Sequence, residues 1–184
     1  MPLRNSAEAY GSLAKFLHWA IVLLIVPQYF LAEAADELPN GIEKLRILDW
    51  HKSIGMLVLL LVLVRIGWKI VNRGLPGPVG EPWQRKAAVV GHGLLYLLIL
   101  AQPISGWAMS SAANYPVTLF GWLQFPALVG ENHDRHETLE AVHETLFFVL
   151  LTVVILHIVA AFYHHLVLKD GVLRRMLPFG RTQA

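Results

Sequence analysis

The chain has no cysteine, which removes disulfides, thiolate-ligated haem, iron–sulfur clusters and cysteine zinc sites at once. Charge is also scarce: 15% of the residues are Asp, Glu, Lys or Arg, where a soluble globular domain carries about a quarter. There is no glycine-rich phosphate loop and no dinucleotide fingerprint, so nucleotide chemistry has no motif to rest on. Low-complexity tracts are missing, and the only short repeat is His136-Glu-Thr-Leu echoed by His143-Glu-Thr-Leu. What the 184 residues do have is apolar bulk, 55% hydrophobic, and nine histidines, the only soft ligands available besides four Met.

From Thr145 to Leu168 there is no Asp, Glu, Lys or Arg, and about 20 such residues cross a bilayer as a helix. Four stretches of this kind occur, at about 14–34, 50–71, 87–109 and 143–168, and they use nearly the whole chain. The expected fold is therefore all-α, an integral membrane four-helix bundle forming a single domain over 1–184. The first stretch also has features of a secretory signal, with Arg4 and Lys15 leading and Leu31-Ala-Glu-Ala-Ala35 like a cleavage site. Its length, and His18 and Trp19 within it, favour a retained span. Pro103 and Gly106 lie in the third, where neighbouring helices can satisfy the backbone. The segment from Arg73 to Pro82 is Gly/Pro punctuation without helix, and Ser110 to Val142 is the longest connection. Within that connection, Phe120-Gly-Trp-Leu-Gln-Phe125 is expected at the membrane interface as an aromatic belt.

Basic residues are sorted by loop. Arg4, Lys15, Arg65, Lys69, Arg73, Arg85, Lys86, Lys169, Arg174, Arg175 and Arg181 lie in the N-terminal segment, the 65–86 segment or the tail. The other two connections hold only Lys44, Arg46, Lys52 and Arg135, which by the positive-inside rule puts both termini in the cytoplasm. Topology thus explains a basic chain better than nucleic acid does.

His143 and His157 are fourteen residues apart, which returns them to within about 40° of one helix face, roughly 21 Å apart along the axis. An ionisable side chain in a span costs on the order of 2 kcal/mol or more unless paired or ligated. With the topology above, His51 and His143 share the outer depth, and His18 and His157 the inner one. Two bis-histidine sites in a four-helix bundle suit two b-type haems, and two axial imidazoles favour electron transfer over oxygen binding. Gly55, one turn after His51, and Gly91, beside His92, are places where a flat macrocycle could approach the backbone. His136 and His164 lie seven residues from His143 and His157 on nearly the same face, so spacing alone leaves the ligand set open. His92 reads as a hydrogen-bonding or quinone-site residue rather than a ligand, and His133 as a solvated loop residue. Arg65 reads equally as a positive-inside anchor or as the partner of a haem propionate. Zinc transport would also use histidines, but it usually recruits carboxylates within the spans, and the apolar runs hold none.

In order along the chain, Phe16-Leu-His18-Trp19, His51-Lys-Ser-Ile-Gly55, Gly91-His92-Gly-Leu-Leu-Tyr96, His143-Glu-Thr-Leu with His157, then His164-His165 and Lys169 to Pro178, resemble the bacterial cytochrome b561 family. That family sits in a superfamily with the cytochrome b subunits of formate dehydrogenases and nickel–iron hydrogenases. The resemblance covers nearly the whole chain, and it selects His143 and His157 over His136 and His164. It implies two haems b, a bacterial inner-membrane location, and electron exchange with the quinone pool. Its most specific implication is superoxide oxidation at the outer haem with ubiquinone as acceptor. The outer segments hold four Lys/Arg against ten Asp/Glu, a balance of −6 that repels an anion. Lys52, Arg46 and Arg135 are then the candidates for a local positive funnel. His92, His164 and His165 are the candidates for delivering protons to a quinone at the inner side. A membrane-anchor subunit passing electrons for a separate dehydrogenase, with an unidentified redox partner protein, is the alternative.

Overall fold

The structure, a computed structural model, describes residues 2–73 and 75–178; Arg181, counted above among the basic tail residues, lies outside them. Four helices carry the architecture: α1 (Ser12–Asp36), α2 (Ile42–Val71), α3 (Pro82–Ala112) and α4 (His133–Leu166). All four are long and apolar enough to cross a membrane. A short helix α5 (Val172–Met176) follows, and between α3 and α4 stands an antiparallel hairpin of β1 (Val117–Leu119) and β2 (Leu123–Phe125).

Each long helix outruns its apolar core because local chemistry sets its start. α3 begins with Pro82 at its first position, and Glu81 and Gln84 satisfy each other's backbone in a capping box. α4 starts ten residues before its apolar run because the Asn132 side chain accepts from Arg135 N at 2.8 Å. α1 starts after Gly11, where a Cβ would collide with the backbone oxygens of Leu3 and Arg4, so the incoming chain can cross there only over glycine.

α1 lies along α2 and α3 along α4, and the α2–α3 contact joins the two pairs. Tyr29 of α1 stacks on Phe147 of α4 at 5.8 Å, closing the ring of helices. Two small cores sit between helices: Ile21, Val58 and Val62 in one, Met56, Leu59 and Val117 in the other. Large apolar side chains such as Leu23, Phe30, Val90, Phe148 and Leu156 are exposed on the outside, where lipid is the solvent.

The two ends of the bundle differ in how they are closed. At one end the termini are tied down. Asn5 donates from its backbone to Asn72 Oδ1 at 3.0 Å and from its side chain to Leu75 O at 2.7 Å, and accepts from Gly11 N at 2.9 Å. Trp19 Nε1 donates to Met176 O at 2.9 Å, bringing α5 to the same end.

The other end carries the hairpin, where an irregular connection with an interfacial aromatic segment was expected. Phe120 (φ 53°) and Gly121 (φ 76°) are both left-handed, the pairing a tight hairpin turn requires, and Trp122 N donates to Leu119 O at 3.1 Å. Buried Ser53 of α2 docks the hairpin: its hydroxyl donates to Thr118 O at 2.9 Å and accepts from Phe120 N at 3.0 Å. Trp122, at the turn, is 96% exposed.

Candidate functional site

At the hairpin end, His51 of α2 faces His143 of α4 across the bundle, ring centroids 6.3 Å apart and planes at 77°. His51 Nδ1 lies 3.2 Å from Gln28 O, a carbonyl that can only accept, so Nδ1 carries the ring hydrogen. Gln28 Nε2 in turn donates to His51 O at 3.1 Å. His143 reaches the same state by another route. Its Nδ1 is 2.9 Å from Ser105 Oγ, whose one hydrogen is already given to Gln102 O at 2.8 Å, so the imidazole is the donor. Both rings therefore hold their hydrogen on Nδ1 and leave Nε2 with a lone pair, the form in which a histidine ligates a metal while a neighbour fixes its tautomer. Gln102 Nε2 sits 3.2 Å from His143 Nε2, the amide a bound group would displace.

The backbone makes room as well. A Cβ on Gly106 would lie 3.0 Å from His143 Cε1, so the ring rests directly on the α3 backbone. Gly55 would place a Cβ at an ordinary 3.5 Å from Gln28 Nε2, and Gly91 faces open space. Gln28 Oε1 and Gln102 Oε1 are buried without a hydrogen-bond partner, so this pocket contains two unmatched acceptors.

At the terminal end the structure gathers His18 of α1, His92 of α3 and His157 of α4. His92 and His157 are in ring contact, centroids 5.4 Å apart, and His18 lies within electrostatic reach of both. Arg65 of α2 completes the group. Its Nε donates to Tyr96 OH at 3.2 Å and its Nη1 to Ala14 O at 2.8 Å, and it too is within electrostatic reach of all three imidazoles. Lys69 sits over the Tyr96 ring at 4.8 Å. Tyr10, just outside α1, has its hydroxyl pKa raised by burial, against the lowering pull of nearby Arg65 and Arg175.

The remaining candidates are separated from these two groups. His164 Nδ1 is hydrogen-bonded to Asp170 Oδ2 at 2.5 Å at the turn after α4, with Asp170 Oδ1 accepting from Val172 N; His165 is the next residue. His136 Nδ1 lies 3.2 Å from Met109 O, and His133 is a surface partner of Glu137 at 3.4 Å. Lys52 Nζ is 2.8 Å from Asp49 and donates to Pro116 O at 3.0 Å, so its charge is locally paired. Arg135 donates to Gly130 O at 3.2 Å, and Arg46 lies in the early turns of α2. Among the described residues, no group of three or more His, Asp and Glu is arranged to hold a bare metal ion.

Gln28, Gln102, Ser105 and Asp170 carry no role in the sequence reading, and Gly106 and Tyr96 enter it only as a helix glycine and a motif residue. A signal existed for the glutamines, since an amide in an apolar span demands a partner, and both adjoin a proline, Pro27-Gln28 and Gln102-Pro103.

A four-helix membrane bundle with tautomer-fixed imidazoles facing each other in its interior defines a membrane cytochrome of the b type, a haem-binding electron-transfer protein. The model of prokaryotic cytochrome b561 matches residues 9–179. The chain belongs to that family. It is 31% identical over 181 residues to cytochrome b561 homolog 2 of Escherichia coli, covering 96% of this chain and 95% of the relative. It is 32% identical over 179 residues to the probable superoxide oxidase CybB of Yersinia pestis, covering 93% and 97%. With cytochrome b562 of Cereibacter sphaeroides it shares 31% over 173 residues, covering 91% and 94%. This is accordingly a multi-pass protein of the bacterial inner membrane, acting in electron transport with haem b.

Proposed function

We propose that the chain binds two haems b and moves electrons from the outer face of the membrane to a quinone at the inner face. The observation that carries the reading is the matched tautomer of His51 and His143, each with Nδ1 committed to α1 or α3 and Nε2 left for iron. His18 and His157 hold the second iron, with His92 beside them as a neighbour rather than a ligand. Both termini, and with them Arg65 and the His164–Asp170 pair, face the cytoplasm, in keeping with the distribution of Lys and Arg.

Haem, when bound at these two levels, supplies reversible one-electron chemistry. The protein does the rest. Ser105 and Gln28 keep the outer imidazoles oriented and electron-rich, Gly106 sets how closely His143 approaches α3, and the aliphatic walls exclude water. At the inner end His164, hydrogen-bonded to Asp170, is placed to deliver a proton to a quinone as it is reduced, with His165 and His92 as further donors.

For the donor, superoxide is the specific choice: two superoxide anions release two molecules of oxygen and two electrons, which with two protons convert one quinone to quinol. Its support is the likeness to the probable superoxide oxidase. Because Lys52 is paired with Asp49 on an acidic face, steering rests on Arg46 and Arg135 as well. The alternative, an anchor that passes electrons for a separate dehydrogenase, predicts co-purification of a soluble subunit and no superoxide-dependent quinone reduction by the isolated chain. A pyridine haemochrome assay should give two haems per chain, and superoxide should drive ubiquinone reduction by the purified protein. A colourless protein from haem-replete cells would overturn the reading.

A further inference from the structure

Arg65 poses a problem that the histidines do not. It lies in the last two turns of α2, where a guanidinium without a counter-ion is costly at membrane depth. Among the described residues it forms no ion pair: the salt bridges are Lys44–Asp36, Lys52–Asp49, His133–Glu137 and His164–Asp170. What surrounds it is more positive charge, with Lys69 over the face of the Tyr96 ring whose hydroxyl Arg65 bonds, and Arg175 near Tyr10.

The side chain is nevertheless held, by Tyr96 OH from α3 and Ala14 O from α1. Of the five N–H donors of a guanidinium these bonds use two, and the rest remain for an anion. The hairpin-end histidines have no equivalent. Their hydrogen-bond partners are the neutral Gln28, Gln102 and Ser105, the nearby cation Lys52 is paired, and the other charges within reach, Asp36 for His51 and Glu144 for His143, are acidic.

We infer that Arg65 is the anion clamp of the inner haem: its guanidinium takes a propionate of the group held by His18 and His157, and its fixed charge makes that haem the easier of the two to reduce. This rests on the two-haem reading above. A propionate is the carboxylate that a haem would bring to this depth, and a planar guanidinium matches it through parallel N–H donors. Reduction adds a negative charge to the haem, and a fixed cation nearby favours the reduced form. The asymmetry therefore biases the electron inward, toward the end where His164 and Asp170 stand.

The test is redox potentiometry of the detergent-purified holoprotein, resolving both haems, with Arg65→Gln and Arg65→Lys. The His143→Ala protein, which keeps only the inner haem, assigns the signals. Arg65→Gln should lower the inner potential enough to change the electron's distribution between the haems at least tenfold, about 59 mV for a one-electron couple, and leave the outer haem unmoved. Arg65→Lys, keeping charge but not the planar fork, should shift it less. Tyr96→Phe, which removes only the hydroxyl bracing Nε, should shift it in the same direction, and it decides the matter if Arg65→Gln loses haem or does not accumulate. Unchanged potentials with both haems bound, an equal shift in both, or a change only in quinone KM would overturn the clamp while leaving the two-haem reading intact. A wild-type protein without two haems would instead overturn that reading.

Discussion

The two histidine groups solve the same problem with different materials. At the hairpin end, two imidazoles are each held by their own neutral partner, Gln28 for His51 and Ser105 for His143, and one of them leans on bare backbone at Gly106. At the terminal end, three imidazoles crowd together with an arginine, and among the described residues no hydrogen bond fixes His18 or His157 individually. The first site is specified residue by residue, the second by the assembly of all four helices. Substitutions should therefore act locally at one end and collectively at the other.

The largest effects come from the proposed ligands. His143→Ala should leave one haem per chain where the wild type has two, with the inner spectrum retained; unchanged stoichiometry would refute the assignment. His18→Ala should remove the other haem, whereas His92→Ala should leave two. If His92→Ala costs a haem and His18→Ala does not, the pairing at the crowded end is His92 with His157, the contact seen at 5.4 Å. Gly106→Val comes next. Overpacking of about 1–3 kcal/mol pushes His143 off α3, and haem transfer to apomyoglobin should speed up for the outer haem alone. Ser105→Ala should weaken outer haem retention by about tenfold, the lower end of what orienting partners usually contribute, without affecting the inner one. Lys52→Gln should have the smallest effect, since its charge is already paired with Asp49 and such pairs near the surface are worth about 0–1 kcal/mol. Superoxide-dependent turnover at low ionic strength should fall by less than about fourfold.

The same contrast marks what could be read from the residues. The four spans, and the histidines within them, were legible because apolar runs and ionisable interruptions are local properties of the chain. The hairpin was not. Val117–Phe125 is flanked by Pro116 and Pro126 and holds one Gly, and its turn depends on Phe120 taking a left-handed φ. Ser53, which docks it, lies 65 positions before Thr118, a separation that no local pattern marks. Ser105 was equally silent, because a serine becomes an orienting group only when another helix brings an imidazole to it. The early start of α4 needed only Asn132, a cap visible in principle but masked by the polar stretch that follows it.

Asn5 has a consequence for the crowded site. Its three bonds, to Asn72, Leu75 and Gly11, join the beginning of the chain to the far end of α2. The first helix then cannot creep lengthwise along the second by even one turn, a slip of about 5.4 Å, without breaking that knot. A small amide in a surface loop thereby acts as an axial stop, holding His18 level with Arg65.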